Sequence, residues 1–155
     1  MELLKCALYV LALGFATNVI GNSLPREWFH PDRFPFRCFG WEKSGKVYRK
    51  LRIRKWKDWL PDMSRVDRRM YRKEVDLKVN AENLNRLIKE TCVAETVHTG
   101  LIILSLGVVR IWRGKWGWFC WFLCVLGNLP FIIIQRFNRP RLQQALIHLQ
   151  VRNVE

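Results

Sequence analysis

Three apolar runs organise the chain. Leu3 to Ile20 is apolar apart from Lys5, Thr17 and Asn18, a length that suits a first membrane helix or a signal-peptide core. Asn18, Val19 and Ile20 form no small-x-small cleavage site, and Lys5 is balanced by Glu2, so a retained helix over 3–20 is expected. Leu101 to Val109 is the second run. Trp118 to Ile134 is the third; it carries no charge and approaches the ~20 residues that cross a hydrocarbon core. Trp116, Trp118 and Trp121 are placed there like an interfacial aromatic belt. Ahead of the second run, Asn80 can cap a helix, and Leu84, Leu87, Ile88 and Thr91 recur at helical spacing as one inward stripe. Pro140 suits the first turn of a terminal helix. In that helix Leu142, Ala145, Leu146 and Leu149 lie opposite Arg141, Gln144 and His148, as expected of a helix resting on a membrane. Val47 to Leu60 has a mixed period. Leu51 and Ile53 alternate like a strand, whereas Tyr48, Arg52, Lys55 and Trp59 share a helical face, so neither is favoured.

The pattern predicts an all-α, small integral membrane protein with two to three transmembrane or re-entrant helices, a basic cytoplasmic loop and a C-terminal interfacial helix. Residues 1–155 are read as a single membrane-embedded domain: a first membrane helix (3–20), a basic cytoplasmic region (22–89), a helical hairpin (90–134) and a cytoplasmic tail helix (135–155). Charge sets the orientation. Of 27 basic residues, 19 fall between Asn22 and Lys89, which places that loop and the C-terminus inside a multi-pass cell-membrane protein and the N-terminus outside. Arg110, Arg113 and Lys115 then fall on the outer side of a three-helix arrangement. A re-entrant or tilted hairpin over 99–134 would keep both tips near the cytoplasmic face, and the sequence leaves both arrangements open.

A net charge of +14 and a pI near 10.2 call for an anionic partner. Because the basic middle is bracketed by spanning-length apolar runs, the lipid bilayer is expected as that partner and nucleic acid is not. Cys6, Cys38, Cys92, Cys120 and Cys124 are odd in number and show neither C-x-x-C nor a zinc-type Cys/His spacing, so no metal site or disulfide framework is expected. Gly40 to Lys46 satisfies G-x-x-x-x-G-K, but Val47 stands where a magnesium-binding Ser or Thr belongs, and Trp41 and Glu42 suit a phosphate cradle poorly. A nucleotide site is rejected.

Two places could carry chemistry. The inward stripe ending at Thr91 continues to Glu95 and His98, ionisable residues at i and i+3 on a buried face, where they are costly unless paired or used. Glu95 would orient His98 as a general base toward a hydroxyl; a structural Glu–His hydrogen bond is the competing reading. Glu90 falls on another face, and His30 and His148 read as ordinary surface or packing residues. The second place is the block Gln135 to Leu142, where Arg136, Asn138, Arg139 and Arg141 follow the apolar run. Guanidinium groups there could hold phosphate or carboxylate, or could simply mark the cytoplasmic end of a membrane helix. In the basic middle, Arg54, Lys55 and Trp56 mix cations with indole in a way suited to a headgroup zone.

Glu42 to Leu60 with its Arg54-Lys55-Trp56-Lys57 core, then Glu90, Thr91, Ala94, Glu95 and His98, and finally Asn128, Pro130, Ile132 to Arg136 and Asn138 to Leu142 resemble the glycosyl-4,4'-diaponeurosporenoate acyltransferases. Those enzymes finish staphyloxanthin-type carotenoids. The likeness runs from about Pro25 onward; Val93 and Thr99 depart from the family pattern, which has a basic and an aromatic residue there. The resemblance implies a small membrane O-acyltransferase that esterifies a fatty acyl chain onto a sugar hydroxyl of a glycosylated membrane lipid such as a carotenoid glycoside. Its co-substrate would be an acyl thioester, acyl-CoA or acyl carrier protein, with no other cofactor. His98 and Glu95 are then the catalytic candidates. Arg136, Asn138, Arg139, Arg141, Arg54, Lys55, Trp56, Glu42 and Glu90 are the substrate-binding candidates, with Asn138 as a donor to the oxyanion. The five-residue His-to-Asp spacing of the soluble-faced glycerolipid acyltransferases is absent, since Pro35, Ile103 and Asn153 stand where the Asp would be. No G-x-S-x-G elbow occurs either. The alternative is a non-enzymatic membrane protein whose basic loop binds anionic lipid or a partner.

Overall fold

Helices follow the apolar runs. The computed structural model describes residues 1–42, 45–56 and 80–152, and of Arg49 and Arg54 the backbone alone. The helices are α1 (Glu2–Ser23), α2 (Lys46–Lys50), α3 (Ile53–Trp56), α4 (Ala81–Leu104), α5 (Val108–Ile111) and α6 (Lys115–Arg152). No strand occurs among the described residues. Among the described residues, three stretches are long and apolar enough to cross a membrane: Glu2–Ser23, Ala81–Ile111 and Lys115–Arg152, of 22, 31 and 38 residues. The mixed-period stretch is helical where it is described, in α2 and α3. Lys57, Trp59 and Pro61 lie outside the described residues.

The chain divides into two compact units, Met1–His30 with Cys92–Gln135, and Pro31–Thr91 with Arg136–Glu155. In the first, α1 turns Cys6, Thr17 and Gly21 inward, while Leu3, Leu8, Leu11, Phe15 and Val19 are exposed. So many exposed large apolar residues on one helix suit a hydrocarbon solvent rather than water. Glycines permit close helix approach: a Cβ on Gly21 would stand 2.6 Å from Val97 Cγ2, and one on Gly107 2.3 Å from the Tyr9 hydroxyl.

The second apolar run is interrupted at a 3-10 turn, Ser105–Gly107. Where a membrane helix breaks, carbonyls need substitute donors. Tyr9 Oη donates to the Leu104 carbonyl at 2.9 Å, and both Ser105 Oγ (2.9 Å) and Trp121 Nε1 (3.0 Å) donate to that of Ile102. Trp121, read in the sequence as part of an aromatic belt, directs its indole N–H to the carbonyl at this break. Trp112 and Trp116 stack at 5.9 Å, and Lys115 sits 5.7 Å over the Trp116 ring.

In the second unit Asn80 Oδ1 accepts from the Glu82 amide at 3.2 Å, the cap its position predicts. Ile88 and Thr91 of the expected stripe are buried. The tail departs from expectation: instead of a separate helix beginning at Pro140, α6 continues unbroken from Lys115 to Arg152 with Pro130 and Pro140 inside it. Proline at 140 removes the donor that the Arg136 carbonyl would receive. Gly45, at φ +79°, packs on that spot, and a Cβ there would lie 3.2 Å from Pro140 Cγ and 3.6 Å from the Phe137 carbonyl oxygen.

Gly45→Ala should therefore lower the unfolding midpoint in detergent, since a Cβ at positive φ costs roughly 1–2 kcal/mol before any clash. Gly114→Ala is the control. Its φ is +88° and nothing lies within 4 Å of the added carbon, so it reports strain alone. Equal shifts for the two variants would show that the contact with Pro140 contributes nothing.

Candidate functional site

In the first unit the polar centre is His98. One turn upstream on α4, Glu95 is buried, and His98 itself is half-buried. The imidazole lies flat on Phe131, with ring centroids 4.5 Å apart and planes 8° from parallel. Its Nδ1 is 2.8 Å from Asn128 Oδ1, and Asn128 Nδ2 donates to the Cys124 carbonyl at 2.9 Å. Stacking fixes the plane of the ring and the polar contact its rotation. Glu95 was expected to orient His98; the partner seen on Nδ1 is Asn128, thirty residues on. An amide two residues before a proline in an uncharged run was its signal in the sequence, and that signal lacked a partner.

In the second unit the polar centre is Glu42, only 1 % exposed. Its carboxylate accepts from the Phe39 amide at 2.6 Å, from the Tyr48 hydroxyl in a very short contact, and from Arg136 Nη1 at 3.0 Å. Burial pushes the Glu42 carboxyl up, but the Tyr48, Phe39 and Arg136 donors outweigh it and hold the group below its ordinary range. Burial, with Glu42 beside it, pushes Tyr48 far above the usual phenol range. Arg136 Nη2 donates to the Pro35 carbonyl at 2.7 Å, and its guanidinium lies 4.9 Å from the Phe39 ring.

Arg139, 2 % exposed, is engaged as fully. Nε donates to Thr91 Oγ1 (2.9 Å), Nη2 to the Thr91 carbonyl (3.1 Å) and Nη1 to the Phe36 carbonyl (2.6 Å). The block read as a phosphate grip thus turns two of its three arginines to Glu42, Thr91 and the carbonyls of Pro35 and Phe36. Tyr48, Thr91 and Phe39, which sequence reasoning did not place there, complete the network.

The other candidates are dispersed in the same unit. Arg141 is exposed and lies 4.8 Å from the Phe137 ring. Asn138 and Glu90 are half-buried and Lys55 is exposed. Trp56 Nε1 donates to the Leu51 carbonyl at 2.8 Å; the Arg54 side chain lies outside the described residues. Among the described residues no group of three or more His, Cys, Asp and Glu side chains could hold a metal ion. Chemically, the first unit presents an imidazole oriented by Phe131 and Asn128, and the second a buried ion-pair network together with exposed cations.

Residues 25–148 match the family described as glycosyl-4,4'-diaponeurosporenoate acyltransferase. Proteins of that name from Staphylococcus aureus strains bovine RF122 / ET3-1, MRSA252 and N315 are each 30% identical over 142 residues, covering 91% of this chain and 86% of the relative. No solved structure matches the chain. The matched stretch contains both polar centres, and its extent shows that the chain belongs to the glycosyl-4,4'-diaponeurosporenoate acyltransferase family.

Proposed function

We propose that this protein is a membrane O-acyltransferase that esterifies a fatty acyl chain onto a sugar hydroxyl of a glycosylated membrane lipid, a carotenoid glycoside in the first instance. The observation that carries the reading is the oriented, half-buried imidazole of His98 in a chain whose named relatives are acyltransferases of this class. The sugar oxygen attacks the carbonyl carbon of an acyl thioester while His98 takes its proton. The tetrahedral adduct then loses its C–S bond, the ester forms, and His98 returns the proton to the departing thiolate. Glu95, buried one turn before His98, stabilises the imidazolium that forms between the two steps.

The donor is acyl-CoA or acyl carrier protein. Exposed cations of the second unit, among them Lys46, Lys55 and Arg141, draw this anionic donor and acidic lipid to the surface by their field. Arg136 and Arg139 build the scaffold. The basic region and the C-terminal end of α6 face the cytoplasm, as the distribution of Lys and Arg supports.

The test is expression in a carotenoid-free bacterial host supplied with a glycosylated carotenoid acid, followed by mass spectrometry of total lipid. A product heavier by one acyl group, present only with the chain, is expected. Absence of any new ester when purified membranes receive this acceptor and either donor would overturn the reading.

A further inference from the structure

His98 has two ring nitrogens, and only one of them can be the base. Which one is settled by a short chain of hydrogen bonds with a fixed direction. The Cys124 carbonyl can only accept, so the side-chain atom of Asn128 facing it at 2.9 Å must be the NH₂ group. That leaves the amide oxygen of Asn128 facing His98 Nδ1 at 2.8 Å. An amide oxygen also only accepts, so Nδ1 must carry hydrogen, and in the neutral ring the lone pair resides on Nε2.

We infer that Asn128 is the positioning residue of this site: anchored to the Cys124 carbonyl, it holds His98 as the Nδ1–H tautomer and makes Nε2 the basic nitrogen, while Phe131 holds the ring plane. The inference deepens the acyltransferase reading and depends on it only for the catalytic consequence. Asn128 suits the task because its amide has both a donor end, fixed by the carbonyl four residues back, and an acceptor end. Leucine, which fills similar space, has neither. Without that acceptor, Nδ1 loses the contact that keeps hydrogen on it, and the other tautomer would put hydrogen on the nitrogen that has to accept the hydroxyl proton.

The chain holds three histidines, His30, His98 and His148, so the tautomer is readable by ¹⁵N NMR of the full chain, labelled at histidine and reconstituted in lipid. His98→Gln identifies the His98 signals. At a pH where the ring is neutral, the wild type should show hydrogen on Nδ1 and an unprotonated Nε2. Asn128→Leu should shift His98 toward the Nε2–H form, and Asn128→Asp, which keeps the acceptor, should retain the native form. Turnover should fall about 10²-fold in Asn128→Leu with the acceptor KM unchanged, and Asn128→Asp should recover most of it.

An Nε2–H tautomer in the wild-type protein overturns the inference whether or not any variant folds. So does an unchanged tautomer in Asn128→Leu, or wild-type turnover in that variant. If the wild type forms no ester at all, the acyltransferase reading falls, and the NMR result still decides what Asn128 does to His98.

Discussion

His98→Gln should reduce ester formation by about 10²- to 10⁴-fold, the contribution typical of a positioned general base. Glutamine keeps a polar side chain of similar reach but cannot take a proton near neutral pH. What it loses structurally is small. The stacked contact with Phe131 at 4.5 Å is worth about 0.5–1.5 kcal/mol beyond area burial, and a single neutral hydrogen bond to Asn128 contributes a similar amount. Expression level and membrane insertion should therefore stay near those of the wild type while product disappears. His98→Ala should behave alike in activity and somewhat worse in stability. The measurement is acylated glycolipid per amount of membrane-inserted protein. A normal yield from either variant would remove His98 from the mechanism, and a yield that falls only in proportion to protein level would assign it a packing role.

The helices were legible because their signals are local. The apolar stretches of α1 and α6, the Asn80 cap and the stripe through Ile88 and Thr91 each lie within a few turns of chain, and each stands where it was expected. The break at Ser105 was not, since a serine amid leucines and isoleucines looks like any tolerated hydroxyl; its carbonyls are satisfied by Tyr9 and Trp121. Pro140 was misplaced at a helix start because that is where proline costs least, whereas here Gly45 fits against it within a continuous helix.

The contacts at the polar sites were not legible, for one reason. Their partners lie far away in sequence. Arg136 meets Glu42 across 94 positions, Arg139 meets Thr91 across 48, and His98 meets Asn128 across 30. Residue type and spacing marked His98 and the arginine block as unusual, but could not separate an exposed arginine fork from one closed on a buried carboxylate. The lookalike of a phosphate loop has the same explanation. Gly45 and Glu42 are demanded there by a helix to be packed and an arginine to be paired, and Lys46 after them is exposed at the start of α2.

That pairing gives the largest expected effect on stability. Glu42→Leu should cost about 3–5 kcal/mol, the range for removing one partner of a buried ion pair, because it strands the Arg136 guanidinium and leaves the Tyr48 hydroxyl and the Phe39 amide without their acceptor. Against a total stability on the order of 5–15 kcal/mol, this should abolish a folded second unit at growth temperature. Arg136→Leu added to Glu42→Leu should recover part of the loss, since the stranded charge is gone. Glu42→Gln, which keeps shape and one acceptor, should cost about 1–3 kcal/mol.

The same carboxylate sets the acid limb of stability. Its pKa in the folded protein lies below the ordinary 4.5, so its contribution is complete above that value and is lost as pH falls through the depressed one. Tyr48 works in the opposite direction: its folded pKa is raised above the ordinary 10.0, so its contribution is complete below that value and is lost as pH rises through the raised one. Unfolding midpoints in detergent, followed by near-UV circular dichroism, should be flat between about pH 5 and 9 and fall on both sides. Glu42→Gln should start lower and lose much of its acid limb. A wild-type midpoint matched by Glu42→Leu, or an acid limb unchanged in Glu42→Gln, would show that the Glu42–Tyr48–Arg136 cluster does not hold this unit together.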